Sequence, residues 1–207
     1  KLKTLKRAKL TSNVVVISGG CGAIGLAIAK EFLMNGAEVV LLEKNSINIK
    51  NTPTDIANNC TIIKCDVTKS NDINKAILKI VDIYGGIDIM VSNAGAAWQG
   101  EIGKVNSAVL KESFDLNFYA HQYLSQACID IMLKQQTGGV LLFNITKQLS
   151  STIILSLKHT HKSRHQMMPT NFFPSRITNN IHNQSLPQFQ TSILIYILID
   201  RGKVYHN

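Results

Sequence analysis

No apolar run in this chain approaches the ~20 residues needed to cross a bilayer as a helix. The longest aliphatic stretch, Ile193 to Ile199, falls far short of that length. The opening segment also lacks the charged, apolar and small-residue order of a secretory signal, so the expectation is a cytosolic protein with no membrane partner. No CxxC pair is present. Cys21, Cys60, Cys65 and Cys128 are scattered, a pattern that reads as reduced packing residues rather than metal ligands. An initiator Met is missing too. The chain opens on Lys1, and the expectation is a fragment of a longer product.

The net charge of +9 invites a nucleic-acid reading, but its distribution speaks against one. Residues 1–10 carry five Lys/Arg and no acid. Residues 148–207 carry six Lys/Arg against one acid, Asp200. Between them, residues 11–147 hold eleven basic and twelve acidic residues, a net of −1. The middle is therefore nearly neutral, without the basic, aromatic-interleaved surface that nucleic acid requires. Residues 1–12 read as a basic linker.

Residues 13–147 alternate short β-rich runs with amphipathic runs. Strands are predicted at Val14–Ser18, Ala37–Leu42, Thr61–Cys65, Ile87–Ser92 and Gly139–Ile145, each short, apolar and rich in Val, Ile or Leu, as strands buried on both faces should be. Between them, Ile24, Ala27, Ile28 and Phe32 share one helical face, and Ile73, Ile77, Ile80 and Tyr84 share another. A third helix is expected from about Val105 to Lys134, in one piece or two. Such alternation implies right-handed crossovers and a doubly wound α/β parallel sheet.

After Lys147 the composition changes. The last sixty residues have no Ala, one Gly (Gly202), one acid and five of the six His, with Pro169, Pro174 and Pro187 interrupting them. Residues 148–207 are expected to form an atypical, poorly packed tail, explained best by a frame shift or assembly error near codon 148. His159, His161 and His165 do not fall on one helix face, which speaks against a metal site.

The most informative local feature is the turn after the first predicted strand. Gly19-Gly20-Cys21-Gly22-Ala23-Ile24-Gly25 contains GxGxxG as Gly20, Gly22 and Gly25. An early Gly permits the tight turn, the next lets backbone approach a pyrophosphate, and the last lets helix sit close on strand. The helix that follows presents free N–H groups and a positive dipole end to the phosphates. Glu43 ends the second strand eighteen residues after Gly25. A carboxylate there accepts hydrogen bonds from ribose hydroxyls and repels a 2′-phosphate, so NAD is expected over NADP. Lys44 beside it weakens that preference.

Four further segments follow in order: Cys65-Asp66-Val67-Thr68, Asn93-Ala94-Gly95, Asp115-Leu116-Asn117-Phe118 and Gly138-Gly139-Val140-Leu141-Leu142-Phe143-Asn144-Ile145. With the glycine turn, they make residues 13–147 resemble the Rossmann-type NAD(P)-binding domain of short-chain dehydrogenases/reductases. The resemblance implies cofactor contacts from Gly19, Cys21, Gly22, Ile24 and Gly25 in the turn. It implies others from Glu43, from Asp66 and Val67 beside the adenine, and from Asn93, Ala94 and Gly95 beside the ribose. Asn117 lies on the apolar stripe Leu110, Phe114, Asn117, His121, Leu124, Cys128, Ile131. The resemblance gives it a water in a proton relay; an amide tying helix to strand is the alternative. His121 reads as a satisfied core histidine. Residues 11–147 are also similar to the dehydrogenase domain of bifunctional rhamnulose-1-phosphate aldolase/short-chain dehydrogenases. That similarity implies a small-molecule substrate such as lactaldehyde in the intact, usually homo-oligomeric parent.

The family's catalytic unit does not carry over. Its YxxxK places Tyr and Lys on one helix face, Tyr to exchange a proton with the carbonyl oxygen and Lys to lower the Tyr pKa. Four residues after Tyr84, Tyr119, Tyr123 and Tyr196 stand Asp88, Tyr123, Ala127 and Asp200, and nothing follows Tyr205 at that distance. The catalytic Ser position falls on Lys147, leaving Thr146 as the nearest hydroxyl. Ala23 replaces the middle Gly of the family's TGxxxGxG. An NAD-dependent oxidoreductase fragment, inactive as written, is therefore expected, with a non-catalytic NAD-binding module as the alternative.

Overall fold

The computed structural model describes residues 10–97, 104–146, 192–200 and 203–206. The chain divides into one compact unit of residues 1–145 and 193–207 and a second of residues 146–192. Within the first, β1 (Val14–Ser18), β2 (Glu38–Glu43), β3 (Cys60–Lys64), β4 (Ile89–Ser92) and β5 (Gly139–Thr146) form a parallel sheet in the order β3-β2-β1-β4-β5. The helices are α1 (Ala23–Met34), α2 (Ser46–Lys50), α3 (Thr54–Ala57), α4 (Ser70–Tyr84), α5 (Ser107–Phe114) and α6 (Ala120–Gln135). A π-helical segment, Asp115–Tyr119, joins the last two. This is the Rossmann-type doubly wound α/β architecture. Each predicted strand is present, with ends displaced by no more than two residues.

Burial on both faces explains why the strands are mostly apolar. Val14 and Val16 of β1 and Val40 and Leu42 of β2 join Met90 and Leu141 in a core completed by Ile73, Ile77 and Ile80 of α4 and Leu124, Cys128 and Met132 of α6. Their alternates Val15, Ile17, Val39, Leu41 and Val91 face the opposite core, against Ala29 of α1. Side chains alternate along a strand with a period of two, so both sets must be apolar when helices cover both faces. Polar ties fix the sheet's lower edge. Asp88 Oδ2 accepts from Val14 N at 2.7 Å, and the Gln135 side chain makes a reciprocal pair with the Ile87 backbone at 3.1 and 2.7 Å.

Two helical faces need correction. On α4 the expected stripe holds, with the Tyr84 hydroxyl 2.8 Å from Thr61 Oγ1. On α1 the inward residues are Gly25 and Ala29, with Leu26, Ile28, Phe32 and Leu33 alongside. Ile24 and Ala27 face outward, because close packing on the sheet favours the smallest residues at the point of approach. The stripe along α5 and α6 also breaks. Leu110 and Phe114 are exposed, whereas Leu124 and Cys128 are fully buried. The intervening π-helical segment has a longer repeat than 3.6 residues and shifts the phase of everything before it.

Beyond β5 the sequence offers no recognisable sixth or seventh strand of the family. The structure nevertheless has β6 (Ser192–Asp200) and β7 (Lys203–His206), next in the sheet order after β5. They pair antiparallel, Ile197 opposite His206 and Asp200 opposite Lys203. A run of Ile, Leu and Tyr has high β propensity whatever its origin. The opening residues 1–9, Lys147 and the His159, His161, His165 segment lie outside the described residues. No described helix is long and apolar enough to cross a membrane.

Candidate active site

Because β1 to β5 are parallel, their C-terminal ends share one edge. From β1 the chain winds outward through β2 and β3, then returns to place β4 on β1's other side. The β1/β4 junction is the point where strand order reverses, and open α/β sheets bind ligands there. Ser18, Gly19, Asn93, Ala94 and Asn144 meet at this point. Ser18, 1 % exposed, accepts at Oγ from Asn93 N at 2.9 Å and Ala94 N at 3.0 Å. The Asn93 side-chain amide donates to Ser18 O at 3.1 Å and Gly19 O at 3.3 Å, and its Oδ1 accepts from Asn144 Nδ2 at 2.8 Å. The three strand ends are thus held in one polar network. Sequence reading marked Asn93 but not Ser18 or Asn144 as its partners; a polar residue closing each apolar strand was the available signal.

The glycines divide their work differently from the expectation. The turn's positive φ lies at Gly19 (+61°), against Ala94, rather than at Gly20. Gly20 is needed for space: a Cβ there would stand 2.7 Å from Leu41 Cβ. At Gly25 a Cβ would run into Gly19 O and lie 2.8 Å from Gly20 Cα, so the opening turn of α1 rests directly on the strand exit. Gly22 differs, since a Cβ there would meet only Gly19 O at 3.4 Å, an ordinary contact. It has open space where a ligand would approach. Gly22 is the N-cap of α1 and offers no side-chain cap, and no acid occupies the first turn. The helix's opening N–H groups are left facing that space.

Of the remaining turn residues, Cys21 is buried and Ile24 is 49 % exposed. Burial pushes the Cys21 thiol up, against a hydrogen bond with Thr52, and the nearby Glu43 charge adds to the rise. Burial likewise raises Cys60 to about 11 and Cys65 and Cys128 to about 12. All four thiols are free and poorly reactive. Among the described residues no cluster of three His, Cys, Asp or Glu is placed to hold a metal ion.

Glu43 closes β2 at 7 % exposure, and its Oε1 accepts from Asn45 N at 2.8 Å. Asp66 follows β3, with Oδ1 accepting from the Thr68 hydroxyl at 2.7 Å and the Thr68 amide at 3.1 Å. Its Oδ2 lies 3.0 Å from Lys44 Nζ. Burial opposes ionisation of Asp66, but Thr68 and Lys44 outweigh it and hold the carboxyl below the usual carboxylate range. Val67 is buried in the core, so its side chain packs against neighbouring core residues.

Asn117 sits in the π-helical segment. Its Nδ2 donates to Ala96 O at 2.9 Å and its Oδ1 accepts from Ala96 N at 3.1 Å, beside Gly95. The side chain therefore ties the helix to the segment that follows β4. His121 accepts or donates at Nδ1 with Ser92 Oγ at 2.6 Å, and burial lowers its pKa. It is a hydrogen-bonded core histidine. Thr146 ends β5 at the same sheet edge.

A dinucleotide fits this arrangement. The α1 amides carry no side-chain cap, Gly22 has open space beside it, and the carboxylates of Glu43 and Asp66 stand at the exits of β2 and β3. A family model described as short chain dehydrogenase matches residues 13–148. An uncharacterized oxidoreductase of Staphylococcus epidermidis is 28 % identical over 134 residues, covering 65 % of this chain and 58 % of that protein. One from Staphylococcus aureus is 29 % identical over 156 residues, covering 72 % and 67 %. Among solved structures, ligand-free aldohexose dehydrogenase of Thermoplasma acidophilum matches with a TM-score of 0.54 at 28 % identity, covering 60 % of this chain and 46 % of that one. The crystal structure of gox2181 matches at 0.63 and 22 % identity over 67 % and 55 %, a likeness of fold. The chain thus spans about 58 % of the length of the first of these oxidoreductases. With the family model matching most of its length, the protein belongs to the short-chain dehydrogenase family.

Proposed function

We propose that this chain is the cofactor-holding part of an NAD-dependent oxidoreductase acting on a small hydroxy or carbonyl compound of the lactaldehyde kind. As written, it binds NAD without turning substrate over. The observation that carries the cofactor assignment is Glu43, a buried carboxylate at the end of β2, the strand paired with the one that feeds the glycine turn. When bound, the nicotinamide supplies a hydride acceptor or donor. Gly19, Gly22, Ile24 and Gly25 would hold the diphosphate, Glu43 the adenosine ribose, Asp66 and Val67 the adenine edge by side chain or backbone. Asn93, Ala94 and Gly95 would border the second ribose, and Cys21 would pack beneath the turn.

The proton side of the reaction is what the chain lacks. Asn117 fixes the strand exit through Ala96, and Thr146 offers a hydroxyl with no Tyr–Lys pair to support. Losing a general acid/base costs ~10²–10⁴ in rate, and losing the whole unit costs more. The lactaldehyde class rests on the resemblance of residues 11–147 to the aldolase-linked dehydrogenases. A cytosolic, homo-oligomeric parent without nucleic-acid or membrane partners belongs to the same reading. The absent YxxxK equally favours a non-catalytic NAD-binding module as the chain's present role.

Calorimetric titration of the purified chain with NAD tests the binding reading, and NADH production from lactaldehyde at high enzyme concentration tests the inactivity. Saturable NAD binding with no turnover is expected. A folded chain with no NAD affinity would defeat the first claim, and steady NADH production the second.

A further inference from the structure

At the adenosine end, two acids and two lysines stand close together, and their pairing is not the one that chain order suggests. Lys44 follows Glu43 directly, yet its ammonium lies 3.0 Å from Asp66 Oδ2, across the β2/β3 exit. Lys69 reaches the same oxygen only at 4.0 Å. Asp66 is a fixed acceptor. Its side chain is 11 % exposed, Oδ1 is taken by both Thr68 donors, and its own amide is 3.4 Å from Asp72 Oδ2. Lys44 is the exposed member, with a side chain 70 % exposed. A basic residue near the end of the second strand is what accommodates a 2′-phosphate in dinucleotide sites.

We propose that Asp66 is a cofactor-specificity residue: by holding Lys44 across the strand exits, it denies a 2′-phosphate the cation that would offset Glu43. Discrimination against NADP then has two parts, repulsion by Glu43 and sequestration of Lys44 by Asp66. The second part is modest, because an exposed pair gains little and is screened by salt. It is also separable from the first, because Glu43 is bonded to Asn45 and not to either lysine. This inference rests on the NAD reading given above.

The test is calorimetric binding of NAD and NADP to the full chain and to Asp66→Asn, Lys44→Ala and the double variant, with far-UV circular dichroism confirming each fold. Asp66→Ser, which keeps an oxygen for the Thr68 amide, stands in for Asp66→Asn should that variant not fold. The wild type should prefer NAD. Asp66→Asn should narrow the preference about fivefold, the size of an exposed charge contact. Lys44→Ala alone should leave it within about twofold of wild type, and the double variant should return to the wild-type ratio. The proposal is overturned if Asp66→Asn leaves the ratio unmoved, or narrows it equally without Lys44, since lost negative charge would then be the cause. It is also overturned if Lys44→Ala alone widens the ratio about fivefold, since Lys44 would then already serve the phosphate. A wild type with no NAD affinity overturns the cofactor reading itself and this proposal with it; NAD binding with an unmoved ratio overturns this proposal alone.

Discussion

Consider alanine placed in turn at Gly22 and at Gly25, three residues apart at the start of α1. At Gly25 the new methyl would be driven into Gly19 O and Gly20 Cα and O, all of them backbone. Backbone cannot rotate aside as a side chain can, so α1 must back away from β1. Overpacking of this kind costs about 1–3 kcal/mol. In a chain of this size each kcal/mol is on the order of 2–4 °C of Tm, so a fall of roughly 2–12 °C is expected without ligand. At Gly22 the methyl meets one atom at 3.4 Å. Losing an N-cap Gly to Ala costs about 1 kcal/mol or less, and the main effect should fall on the ligand. NAD at a hundred times its Kd should stabilise the wild type by ~2.7 kcal/mol. Both variants should lose most of that gain, but only Gly25→Ala should melt markedly lower by itself. Thermal shift with and without NAD reads both quantities. Equal apo melting of Gly25→Ala and wild type, or a full NAD shift in Gly22→Ala, would refute the cradle.

Ser18→Ala removes the shared acceptor of two part-buried backbone donors, Asn93 N and Ala94 N; urea unfolding should show a loss of about 1–3 kcal/mol. Tyr84→Phe removes the 2.8 Å bond to Thr61 Oγ1 and should cost about 1 kcal/mol in the same assay, with NAD affinity unchanged. His121 has a folded pKa depressed by burial below its unfolded value of ~6.5. Below that pH the unfolded state binds the extra proton first, so its contribution to stability is full above pH ~6.5 and is lost as pH falls toward the depressed value. His121→Gln should flatten the stability slope in that window, and an unchanged slope in a urea–pH series would show that another group is responsible. Binding to duplex DNA should be weak at physiological salt, because the excess of basic over acidic residues lies at the chain's two ends; a steep salt dependence in a fluorescence-anisotropy titration would contradict that reading.

Strand identity was legible because burial on both faces leaves a short, mostly apolar run rich in Val, Ile and Leu. The stripe on α4 was legible for the related reason that it packs at a regular 3.6-residue period. The α5–α6 stripe misled because a π-helical segment changes the period without leaving a composition signal. Outward-facing Ile24 and Ala27 misled because hydrophobicity marks what can be buried, not what the sheet leaves room for. The short helices α2 and α3 fall between turn residues and were too brief for periodicity to show. Strand β6 was noticed only as an aliphatic run.

By itself the sequence determined the glycine spacing, the acid that follows it and the absence of any Tyr four residues before a Lys, since these are properties of order along the chain. Only the tertiary structure decided which glycine bends and which makes room, because both answers depend on Leu41 and Ala94, which are distant from the turn in sequence and brought against it by β2 and β4. It likewise decided the partners of polar groups. Ser18 with Asn93, Asn117 with Ala96 and Lys44 with Asp66 are set by strand register and helix phase, which bring short-range hydrogen-bonding groups within reach of each other after the apolar core has chosen the geometry.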